Sequence, residues 1–102
     1  MEEILIKELW AASTDLKACR VILKDEPFPR VIHPYGVCKT SRGKIVVVCK
    51  QTAGFTKAGR TAGYRNLGML KFQEVEMLEE SFEPASDFNP EDPQYGEWIY
   101  HI

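Results

Sequence analysis

The side chains with usable chemistry in this chain are cationic and aromatic. Between Pro27 and Gln73 it carries nine basic residues, among them Arg30, Lys57, Arg60, Arg65 and Lys71, and no Asp or Glu. Guanidinium groups match phosphate oxygens bidentately, and Tyr35, Phe55 or Tyr64 offers a ring on which a base can stack. His33 falls two residues before Tyr35, on the same face of an extended strand, where it either binds phosphate when protonated or sits as an ordinary half-buried histidine. The expected chemistry is capture of an anion by Arg30, His33, Tyr35, Lys57, Arg60, Arg65 and Lys71. The alternative is that these are solvated strand-edge charges, some of them paired with acids further along the chain.

Other chemistries lack their residues. Cys19, Cys38, Cys49 and His33 show no ligand-pair spacing such as Cys-x-x-Cys, so no metal site is expected. A Cys–His nucleophile needs a thiolate in an exposed cationic pocket, whereas these cysteines fall within apolar strand patterns. Clustered carboxylates occur only toward the C-terminus, in a stretch that reads as solvated surface. Neither an enzyme nor a cofactor is implied.

The chain has 102 residues, enough for one domain with one modest core. No apolar run approaches the ~20 residues that span a bilayer. The start, Met-Glu-Glu, does not resemble a secretory signal, and three cysteines favour reduced, buried thiols over a disulfide framework. A cytoplasmic location is therefore expected. The net charge of −2 conceals a segregation: through Gln73 the balance is +7, and from Glu74 onward nine acids stand with no Lys or Arg. A basic body implies an anionic partner, and the acidic segment may lie across that body in the partner's absence or simply neutralise it within one fold.

These residues must be positioned by a mainly β domain. Glu2 to about Ala12 reads as a helix with Leu5, Leu9 and Ala12 on its apolar face. Leu16–Leu23 and Arg30–Thr40 read as strands, separated by a turn that Pro27 and Pro29 impose. In the second, Val31, His33, Tyr35 and Val37 share one face, and Pro34 and Gly36 predict that the strand bends sharply or runs along an edge. Lys44-Ile-Val-Val-Val-Cys-Lys50 is the strongest strand signal, and its unbroken apolar run predicts that both of its faces are covered. Ser41-Arg42-Gly43 reads as a three-residue hairpin loop with Gly43 left-handed, which sets Cys38 opposite Val46 and Cys49 opposite Tyr35. Gln51–Gly63 reads as a Gly-, Ala- and Thr-rich loop, Tyr64–Phe72 and Glu74–Leu78 as two further strands. Phe82 and Phe88 are expected to anchor an acidic segment, residues 79–102. Its end, Trp98–Ile102, is a candidate strand for this sheet or for a neighbouring molecule's edge.

A helix followed by strands broken at Pro and Gly suggests a small five-stranded barrel of SH3 or Sm type over residues 16–78. Arg30-Val-Ile-His-Pro-Tyr-Gly-Val37 resembles the Arg-x-x-x-Pro-Tyr-Gly-Leu stretch of WYL domains, sensor modules of bacterial transcription regulators. Ile45-Val46-Val47 falls where that family carries its Trp-Tyr-Leu strand, and Tyr64–Phe72 is similar to its later Arg-rich strand. The resemblance implies an Sm-like barrel that binds an anionic effector, a nucleotide or single-stranded nucleic acid, with Arg30, Pro34, Tyr35, Arg65 and Lys71 at matching positions. Gly68 replaces the family's middle arginine, and the aromatic pair is absent at Ile45 and Val46. Two functions are expected from the whole reading: a non-enzymatic sensor module for such an anion, or an assembly module that mediates homo-oligomerisation or protein–protein contact through a barrel edge and Trp98–Ile102.

Overall fold

The computed structural model describes residues 2–55 and 63–102. One helix, α1 (Glu2–Thr14), precedes strands β1 (Lys17–Leu23), β2 (Arg30–Lys39), β3 (Ile45–Gly54), β4 (Gly63–Gly68), β5 (Phe72–Ser81) and β6 (Glu97–His101). Short 3-10 turns at Met69–Lys71 and Pro93–Tyr95 lead into the last two strands. The strands form one antiparallel sheet in the order β4–β3–β2–β1–β5, with β6 also paired to β2.

β2 is the organising strand, because each of its edges is used. β3 runs along one edge from Arg30 to Lys39. The other edge is divided: β1 takes Arg30–Ile32 and β6 takes Gly36–Lys39. Pro34, which has no N–H to donate, sits at the division. Its carbonyl accepts instead from the hydroxyl of Ser13, 2.9 Å away, and the Tyr100 hydroxyl lies 3.2 Å from the same Oγ. The end of α1 thereby closes the gap between β1 and β6.

A β-bulge at Tyr35 resets the alternation of β2. Pro34 lies opposite Cys49 and Gly36 opposite Val48, so Tyr35 is the extra residue. The expected pairing of Cys38 with Val46 is present, but Cys49 faces Pro34 rather than Tyr35. His33 and Tyr35 stay on the face away from α1, while Val37, expected beside them, turns toward α1 and Cys38 takes its place. A second bulge, at Ile99, likewise sends Tyr100 to the α1 face and leaves Trp98 and Ile102 on the other.

The five-stranded barrel is not formed. The sheet has six strands and remains open, with β4 and β5 at its ends and unpaired with one another. A barrel gives each strand one interior and one exterior face. Here the unbroken apolar run buries both faces of β3, as its sequence predicted: Val47 and Cys49 join α1, whereas Val46 and Val48 join Tyr35, Phe82 and Tyr95. The sheet is thus a middle layer between α1 and the segment from Phe82 to Tyr95, and covering buries the side chains that closure would have enclosed.

Element boundaries shift for related reasons. β3 continues to Gly54, into the stretch read as loop, because the first half of β2 offers it a pairing partner. Tyr64–Phe72 is not one strand: it breaks after Gly68 into a 3-10 turn, and Phe72 begins β5, which runs on to Ser81. Gly43 is left-handed as expected, with φ of 82°.

Candidate functional site

The sheet separates the residues proposed to act together. Arg30 belongs to the α1 face and is buried. Its Nε and Nη2 donate to the two carboxylate oxygens of Glu26 at 2.9 and 2.7 Å, and Nη1 donates to Gln51 Oε1 at 3.0 Å. The Phe55 ring lies 5.8 Å from its guanidinium carbon. Arg65 pairs with Cys49 across β3 and β4 and so shares that face; its Nη1 donates to the Tyr64 carbonyl at 2.9 Å. Lys71 ends the 3-10 turn before β5, and its side chain is exposed. Lys57 and Arg60 lie outside the described residues.

On the opposite face the structure brings His33 and Tyr35 together with Lys50, Tyr64 and the C-terminal segment. His33 stacks on Phe82, with ring centroids 4.5 Å apart, and its Nε2 lies 3.6 Å from a Glu80 carboxylate oxygen. Tyr35 is fully buried, and its hydroxyl accepts the Ala85 N–H at 2.9 Å. Tyr64 donates its hydroxyl proton to Asp87 at 2.6 Å, with the Lys50 ammonium 5.7 Å from its ring centre. Burial, and then the Asp87 carboxylate, push the Tyr64 phenol up from its ordinary pKa. The acidic segment does lie across the basic body here. What holds it is aromatic packing of Phe82, Phe88, Tyr95 and Trp98 with neutral or singly charged hydrogen bonds. Among the described residues, Arg20–Glu76 is the one Lys or Arg ion pair between the body and the acids beyond Gln73.

Cationic groups are available at another place, the tip of the β2–β3 hairpin. Lys39, Arg42 and Lys44 fall within six residues, all are exposed, and none has an ion pair among the described residues. The hairpin is stiffened at its base by the Thr40 N–H donating to the Lys44 carbonyl at 2.8 Å. To one side lies a recess of about 380 Å³ lined by Gly43, Lys44, Ile45, Gly68, Met69 and Leu70. To the other lies a more polar one of about 510 Å³, which includes Arg42 and Glu97. Sequence reasoning counted these three cations but did not single them out. Their signal was position: a three-residue hairpin tip projects into water, where its charges find no partner.

The cysteines offer no nucleophile. All three are buried and unpaired. Burial, with Glu8 adding to it, pushes the Cys19 thiol up to about 12, and burial does the same for Cys49 against the opposing pull of Arg30 and Arg65. No group of three or more metal-ligating side chains occurs among the described residues, and none of their helices is long and apolar enough to cross a membrane. No protein-family model, no curated protein and no solved structure matches the chain.

Proposed function

We propose that this chain is a non-enzymatic binding module for an anionic partner, a nucleotide or single-stranded nucleic acid, which it engages through the end of the β2–β3 hairpin. The observation that carries this reading is the exposure of Lys39, Arg42 and Lys44 without carboxylate partners, at one end of a body that bears no acid from Pro27 to Gln73. Unpaired exposed cations attract phosphates at no cost of breaking an internal ion pair, and nucleic-acid phosphates supply the entropy of counterion release. Arg30 contributes to the fold on this reading, since its donors are occupied by Glu26 and Gln51.

The reading is tested by fluorescence anisotropy of a labelled oligodeoxythymidine. Binding is expected at low salt and weakens as salt rises, with a log–log slope of about −2 for three neutralised phosphates on a single strand. Reversal of Lys39, Arg42 and Lys44 to Glu is expected to abolish it. Absence of binding at low salt, or binding unchanged by the reversal, overturns the proposal. Assembly through Trp98–Ile102 has less support, because that segment already pairs with β2 of its own chain.

A further inference from the structure

We infer that the recess between the β2–β3 hairpin and the β4–β5 corner binds a small anion with an apolar body, its charge met by Lys44 and its body by Ile45, Met69 and Leu70. The inference rests on the anion-binding reading and adds to it a small-molecule site beside the hairpin. Its volume, about 380 Å³, falls in the range of small-molecule sites, roughly 300–1,000 Å³, whose walls are mostly apolar with a few polar groups that orient the ligand. Three of its six lining residues are large apolar side chains and one is a lysine; no carboxylate lines it. The other recesses differ in this respect. The groove between α1 and β5 sets Glu8, Glu74 and Glu76 against Arg20 alone, and the one beyond the hairpin, with Lys39 and Arg42 beside Glu97, has no large apolar side chain to receive a ligand's body.

Open space adjoins the two glycines of the lining. A Cβ at Gly43 or at Gly68 would meet no atom within 4 Å. Met69 is buried and gives the recess a fixed floor, whereas Leu70 is 77% exposed and stands as a wall. A scattered exposed leucine means little by itself. Here it lines the same recess as Lys44, a residue whose aliphatic stem can add apolar surface while its ammonium stays in water. This combination holds a phosphate or carboxylate at the rim with a ring or chain below it.

The test uses the full chain and methyl resonances of Ile45, Met69 and Leu70. It is titrated with adenosine monophosphate, octanoate, inorganic phosphate and adenosine. Saturable methyl shifts are expected with one or both of the first two; which of them binds tells a planar body from an aliphatic one. Phosphate and adenosine, each with half of the chemistry, are expected to bind at least about tenfold more weakly, as are the first two to Lys44→Ala and Leu70→Glu. Both substitutions are at exposed positions and leave the fold intact. Failure of both amphipathic anions to shift the methyls, or equal affinity in both variants, overturns the inference. If the oligonucleotide still binds the hairpin in that event, only the recess is rejected; if it does not, the broader reading fails as well.

Discussion

At Arg30 the guanidinium is closed on several sides at once, by a two-pronged bond to Glu26, by Gln51 and by the Phe55 ring. The two charged side chains are only 7% and 3% exposed, so neither can exchange its partner for water. Removing one partner of such a pair leaves an uncompensated buried charge, which costs about 3–5 kcal/mol, even though the intact pair adds little net stability. Arg30→Ala is therefore expected to lower unfolding stability by about that amount in urea titrations, while the fraction that stays folded keeps its anion binding. Normal stability with lost binding would return Arg30 to the site. The partnership was within reach of the sequence, since Glu26 stands four residues before Arg30. The intervening Pro27 and Pro29 made helix-type pairing unavailable, and only the loop's path back beside β2 brings the groups together.

Gly36 shows the same logic for an element. β6 crosses so closely that a Cβ at Gly36 would lie 2.5 Å from the Tyr100 carbonyl oxygen and 2.7 Å from the Trp98 ring. Backbone cannot yield as a flexible side-chain tip would. Gly36→Ala is expected to displace β6, costing about 1–3 kcal/mol and raising amide hydrogen exchange over Glu97–His101. Gly68→Ala is the control: its Cβ meets nothing, its φ of −62° suits any residue, and it is expected to be neutral. An irregularity near Pro34 and Gly36 was legible from their chemistry. The bulge at Tyr35 was not, because the residue that becomes unpaired depends on β3 holding its own register against Pro34.

Over the whole molecule, two cores on either side of one sheet bury three thiols that ionise near pH 9 when unfolded. Cys19 and Cys49 lie in the core under α1 and are held to about 12. Between those values the folded state keeps protons that the unfolded state has released, so rising pH favours unfolding. Their contribution is complete below pH 9 and is lost as pH climbs toward about 12. The buried Tyr100 phenol, also raised by its burial, acts in the same direction. Urea midpoints are expected to fall steadily above pH 9, with a shallower fall in Cys49→Ala despite its lower starting stability. An unchanged slope in that variant would remove Cys49 as a cause.

The sequence by itself determined the N-terminal helix, most of the strands, the β2–β3 hairpin with its left-handed Gly43, and the separation of charge between body and C-terminal segment. Those depend on local periodicity, β-branching, turn residues and composition, which act over a few neighbouring positions. The tertiary structure alone decided that the sheet stays open, that β1 and β6 divide one edge of β2, and that Glu26, Gln51 and Phe55 enclose the Arg30 guanidinium. Each depends on which faces find a cover. The doubly apolar β3 found α1 on one side and Phe82, Tyr95 and their neighbours on the other. With both faces already buried, the strands had no interior left to close around, and Lys39, Arg42 and Lys44 at the hairpin's end stay in water.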